Sequence, residues 1–175
     1  MLTWLNRPDS YRPLGLKGFT LAEVIITVGI VGILSSIALP NYFRQIQRTH
    51  QAEANATMSQ MMATVAAFVD EFGTQPERWV DLNAMTTLMT NQGPAVIDDG
   101  VLTKAITLPG ERYQLVRINN MNNKKYYVFE AVATNEAASN FNIIACMDLQ
   151  TGASDQLIGS NGEAAIIESL ICQGE

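Results

Sequence analysis

From Val24 to Phe43 the chain reads VIITVGIVGILSSIALPNYF, twenty residues without a charge. A helix rising about 1.5 Å per residue spans roughly 30 Å over that length, which is the thickness of a bilayer's hydrocarbon core. A block of this kind has to be covered by lipid, by a large core or by other chains. The whole protein has 175 residues, enough for one domain and an appendage. Its hydrophobic content is 47% with only 7% aromatic, so the apolar residues are mostly aliphatic, and this block concentrates them. A secretory signal would close with small residues at a cleavage site; this run closes with Leu39-Pro40-Asn41-Tyr42. The apolar segment is therefore expected to stay with the mature protein.

Upstream, residues 1–18 read as a polar leader in which Arg7, Arg12 and Lys17 outweigh Asp9. Pro8, Pro13, Gly15 and Gly18 discourage a helix there. The positive-inside tendency keeps such a leader cytoplasmic and sends the C-terminal part across the membrane. Glu23 is the one charge just inside the hydrophobic stretch that begins at Phe19. A carboxylate within a span costs about 2.5–3.5 kcal/mol on insertion scales, so it is either interfacial, where water reaches it, or used.

Downstream, Met58, Met61, Met62, Val65, Phe68, Val69 and Phe72 recur at helical spacing, which predicts an amphipathic helix from Arg44 to Phe72 packed on its own domain. Gly73 and Pro76 are stop signals. Pro40 either breaks the element or kinks one long helix from Phe19 to Phe72, about 80 Å if continuous. Trp79 to Met89 reads as a short helix. Tyr113–Ile118 and Tyr126–Ala133 are β-rich around a turn at Asn119–Asn123, predicting an antiparallel hairpin. Phe141–Leu149 and Ser154–Ile158 supply a third and a fourth strand, and Glu163–Ile171 a short helix or edge strand. The expected class is α+β: a long N-terminal helix, its first half transmembrane, packed on a small antiparallel sheet of about four strands.

The segment Gly18-Phe19-Thr20-Leu21-Ala22-Glu23 stands where leader gives way to apolar run. With the residues behind it, GFTLAEVIITVGIVGILSSIALPNY, it resembles the N-terminal signature of type IV pilins and of the pseudopilins of type II secretion, over about 25 residues. The resemblance implies a pilin fold. It also implies cleavage by a prepilin peptidase after Gly18, methylation of the new N-terminus at Phe19, and use of Glu23 in assembly. The helix would bend at Pro40 and lose helicity between Gly32 and Pro40 inside a filament. In that setting Glu23 is expected to pair with the α-amino group of Phe19 on a neighbouring subunit, a charge that cleavage creates. The implied organisation is a leader over 1–18, an apolar helix over 19–43 and a head over 44–175. The leader is longer than the shortest in the family, and Ala22 stands where a larger aliphatic residue is frequent.

Cys146 and Cys172 are expected to form a disulfide, because export carries them to an oxidising compartment. Closing a loop of about 25 residues would contribute roughly 3 kcal/mol. No catalytic constellation emerges, and no cofactor is implied. His50 is the only histidine, and it sits on a polar helical segment where solvation is expected. Asp148, Asp155 and Asn161 lack the spacing of an ordered calcium loop. The net charge of -6 becomes about -8 once residues 1–18, net +2, are removed, which disfavours nucleic-acid binding. The function expected is a structural subunit of a type IV pilus: a single-span precursor in the bacterial inner membrane, a homo-oligomeric extracellular filament once the pilus assembly machinery has acted. The alternatives are a type II secretion pseudopilin, or a minor or competence pilin involved in DNA uptake.

Overall fold

A computed structural model describes residues 18–118, 126–160 and 162–172. The leader up to residue 17, the Asn119–Asn123 turn and Asn161 lie outside the described residues. The chain divides into two compact units, one ending at Tyr42 and one beginning at Phe43.

One helix, α1, covers Leu21–Phe72 and carries Pro40 within it, so the proline does not end the element. In the first unit its side chains face outward: Ile26 and Leu34 are each 62% exposed. Pro40 has no N–H to give the carbonyl four residues back. Beside it, Ser36 Oγ donates to Ile33 O at 2.7 Å and Asn41 Nδ2 to Ile37 O at 3.3 Å. The helix starts two residues later than Phe19 because Thr20 caps it, and it ends at Gly73, whose φ of 64° is the left-handed geometry a glycine cap supplies.

Among the described residues of the second unit the strands are β1 (Met89–Thr90), β2 (Gly93–Pro94), β3 (Ile106–Thr107), β4 (Tyr113–Arg117), β5 (Tyr126–Ala133), β6 (Ile143–Asp148) and β7 (Ser154–Ile158). β1 and β2 form a small hairpin; the rest form one antiparallel sheet in the order β3-β4-β5-β6-β7. The fold is α+β, with the four expected strands contiguous as β4-β5-β6-β7 and β3 added at the β4 edge. β3 and the β1–β2 hairpin are too short for alternation to show in sequence.

One face of the sheet meets the helix. Met58, Met61, Met62 and Val65 pack with Tyr127, Phe129, Ile143 and Ala145 in a single core that also holds Trp79, Leu82, Leu102 and Leu115. Each such fully buried side chain contributes about 1.5–3 kcal/mol. The stripe is buried only as far as Val65; Phe72 is 49% exposed and lies with its ring centroid 4.6 Å from that of Phe68, the two rings tilted by 43°. The opposite face is covered by the C-terminal segment. Val128 and Cys146 are direct cross-strand partners there, packed with Cys172, Leu170 and Ile118. This second cover is why β6 is buried on both faces and reads as a nearly continuous apolar run.

Two expectations change in form. Trp79–Ala84 is a 3-10 helix, not an α-helix, held at its start by Asp81, whose carboxylate accepts from the N–H groups of Glu77 and Arg78 at 3.0 and 2.8 Å. Residues 163–172 form neither a regular helix nor an edge strand; they carry one 3-10 turn, Ile167–Ser169. Side chains take over the backbone hydrogen bonding: Asn142 Oδ1 accepts from Ala165 N at 2.7 Å and Asp155 Oδ2 from Ile171 N at 2.9 Å.

Candidate processing and assembly site

The N-terminal residues of interest lie on one short exposed stretch. Gly18, Phe19 and Thr20 precede the helix, and Phe19 is 90% exposed. A Cβ on Gly18 would meet nothing within 4 Å, so the fold itself does not require glycine there. Glycine at that position leaves the backbone open to an outside partner.

Thr20 and Glu23 form a reciprocal capping box. Glu23 N donates to Thr20 Oγ1 at 3.3 Å, while Glu23 Oε2 accepts from Thr20 N at 2.8 Å and from Thr20 Oγ1 at 2.7 Å. Thr27 Oγ1 donates to the carbonyl of Glu23. The Glu23 carboxylate therefore lies at the positive end of the helix dipole with hydrogen bonds from its own chain, which lowers the cost of keeping it at the head of an apolar run. Thr20 escaped the sequence reading, although T-x-x-E before an apolar stretch was the signal for it.

Farther along, a Cβ at Gly29 or Gly32 would also meet nothing within 4 Å. With Ser35, Ser36 and Ala38 they leave a low relief along the helix. Small residues of this kind let another helix approach closely. The helix is long and apolar enough to cross a membrane by length and composition.

The other singled-out residues lie in the second unit. Cys146 and Cys172 are joined by a disulfide with a Cα–Cα distance of 5.9 Å, and both are fully buried. His50 is less solvated than its polar neighbours suggest: its side chain is 23% exposed, and Nδ1, shielded from solvent, faces Glu53 Oε2 at 3.7 Å. Asp148 and Asp155 are engaged with backbone. Asp148 Oδ1 accepts from Gln150 N and Thr151 N, and Asp155 accepts from Gln156 N and Ile171 N. Among the described residues no three His, Cys, Asp or Glu side chains gather in a metal-binding group.

Arg117 went unnoticed in the sequence. It is 2% exposed and lies 3.8 Å over the Tyr127 ring. Burial pushes the Tyr127 hydroxyl's pKa up. Burial also raises Tyr113 to about 12, and its hydroxyl donates to the Phe141 carbonyl at 2.9 Å.

Comparison with known proteins finds a motif on the same segment and a set of curated relatives. The family described as the prokaryotic N-terminal methylation motif matches residues 17–39. The chain is 38% identical over 55 residues to the type IV major pilin protein of Myxococcus xanthus, covering 31% of this chain and 25% of that one. It is 30% identical over 98 residues to a type IV major pilin protein of Neisseria gonorrhoeae, covering 54% of each chain. It is 53% identical over 38 residues to a fimbrial protein of Moraxella nonliquefaciens, covering 22% of this chain and 25% of the relative. The chain thus spans about half, or less, of the length of these curated relatives, which are named as pilin or fimbrial proteins. No solved structure matches. The methylation motif thus stands at the head of an exposed apolar helix, that helix runs into an antiparallel α+β head, and over the matched residues the chain is similar to type IV pilins.

Proposed function

We propose that this protein is a structural subunit of a type IV pilus. It is made as a single-span membrane precursor, cut between Gly18 and Phe19 by a prepilin peptidase, N-methylated at Phe19 and polymerised through its apolar helix. In this reading residues 1–18 are the leader, 19–43 the membrane span and filament core, and 44–175 the head. The observation that carries it is the placement of the Gly18-Phe19 bond: exposed, outside the helix, one residue before the Thr20 cap and inside the matched motif. A simple membrane anchor has no need of that arrangement.

Polymerisation follows from the apolar helix. Outward-facing side chains such as Ile26 and Leu34 need cover in water; lipid covers them before assembly and neighbouring helices afterwards. Cleavage creates an α-amino charge at Phe19 four residues from Glu23 in sequence. Glu23 Oε2 is already held by Thr20, so the carboxylate is fixed at the helix start to meet that charge on an adjoining subunit. The pair would be desolvated in the filament, so an unmatched carboxylate is penalised and axial register is enforced.

The test is intact mass and N-terminal sequencing of protein sheared from the cell surface. The expected species begins with methylated Phe19. Glu23→Ala is expected to be processed normally yet to yield no filaments. Processed protein confined to the envelope would point instead to a pseudopilin. An unprocessed chain in a host with active prepilin peptidase would overturn the reading.

A further inference from the structure

We propose that the cleft bounded by Arg44 and Arg48 is a binding site for an anionic phosphate headgroup, that of an acidic phospholipid at the membrane surface. The inference rests on the membrane reading above. The cleft measures about 530 Å³ and is lined by Arg44, Gln47, Arg48, Asn140, Phe141 and Gly162. That volume suits a headgroup-sized ligand.

Three observations assign the chemistry. Arg44 and Arg48 stand four residues apart on α1, so they share one helix face. Guanidinium forks bind phosphate oxygens in pairs, and the Gln47 and Asn140 amides add neutral donors beside them. Among the described residues the lining brings together two guanidinium groups and no Asp or Glu, in a protein that as a whole carries -6. Position assigns the source. Arg44 is the first charge after twenty uncharged residues, and Arg48 is one turn beyond it. When that run fills the hydrocarbon, both arginines fall at headgroup depth on the side where the head lies, within a Debye length of lipid phosphates.

The site would seat the precursor at a defined depth and orientation, and it would have to release its lipid when the subunit leaves the membrane. An acidic surface on a second copy is the competing occupant, and the experiment separates the two.

The full chain would be reconstituted into nanodiscs of phosphatidylcholine and phosphatidylglycerol in equal amounts. Lipids retained on the protein would then be counted by native mass spectrometry. Wild type is expected to retain phosphatidylglycerol preferentially, and Arg44→Gln/Arg48→Gln to retain it about tenfold less, given roughly one fivefold step per basic residue and incomplete additivity. Arg44→Lys/Arg48→Lys keeps the charge without the fork and should fall between. Unchanged Trp79 emission, read in a Trp4→Phe background, shows that the variants are folded. In a parallel arm, inorganic phosphate is titrated onto the detergent-solubilised chain while the Asn140 side-chain amide is followed by NMR. Phosphate-induced shifts without any lipid preference would overturn the lipid source. Equal phosphatidylglycerol retention by wild type and the Gln variant would overturn the site. Equal retention combined with loss of cross-linking between copies would assign the cleft to a second subunit. A chain that fails to enter nanodiscs would bring down the membrane reading, and the proposal with it.

Discussion

Replacing both Cys146 and Cys172 with alanine should destabilise the head by about 3–4 kcal/mol. The two residues are 26 apart in sequence and are joined across the second face of the sheet. Releasing a loop of that length restores about 3 kcal/mol of chain entropy to the unfolded state, and truncating two buried sulfurs adds a fraction more. The expected readout is urea unfolding of the full chain in detergent, followed by Trp79 fluorescence. Trp79 is fully buried and its indole donates to the Lys104 carbonyl at 2.8 Å, so its emission reports the core. Trp4→Phe in the background removes the second indole. With a slope of about 1.5–2 kcal/mol per molar urea, the midpoint should fall by about 2 M. Reduction of the parent protein should reproduce the shift, and reductant should leave the variant unchanged. A fall below about 0.5 M would refute the reasoning, because it would mean that the tail stays in place, or is already ordered in the unfolded chain, without its covalent tie.

Gly159→Ala should cost about 2–3 kcal/mol, read as a lower urea midpoint, because the new Cβ would sit 2.1 Å from the Asn140 carbonyl oxygen. The damage should spread to the helix contact, since the Gly159 carbonyl accepts from Gln51 Nε2 at 2.7 Å. Met58→Ala should cost about 2–4 kcal/mol by the same assay, since the side chain is fully buried between helix and sheet. Stability should also fall at alkaline pH. Burial raises Tyr113 to about 12 from its ordinary value of 10, so the folded state holds this proton more tightly than the unfolded state. The contribution is complete below pH 10 and is lost as pH rises towards 12, by about 2 kcal/mol. Tyr113→Phe should flatten that part of the profile, and an unchanged alkaline slope in the variant would exclude Tyr113 as its source.

Several features could be read directly from residues. The uncharged run after Glu23, the helical spacing of Met58, Met61, Met62 and Val65, and the β-rich segments that became β4 to β7 are local patterns, each set by neighbours in sequence. Gly73 announced the helix end because a left-handed cap favours glycine. Thr20 was equally legible, since the capping box is a four-residue signal.

Other features depend on residues far apart in the chain. Nothing near Arg117 in sequence says that it will lie over Tyr127, because that contact exists only once β4 and β5 pair. The course of residues 163–172 is set by Asn142, just before β6, and Asp155, in β7, and not by local helix or strand preference. The cleft at Arg44 and Arg48 needs Asn140 and Gly162, about a hundred residues away, to form its other wall. By itself, then, the sequence determined the apolar helix, the N-terminal methylation motif and the principal strands, because periodicity, charge and capping act over a few residues. The tertiary structure alone decided which faces were covered, which polar groups were brought together and where an acidic chain presents a basic cleft, because burial and hydrogen bonding between distant segments exist only after the sheet has closed on the helix.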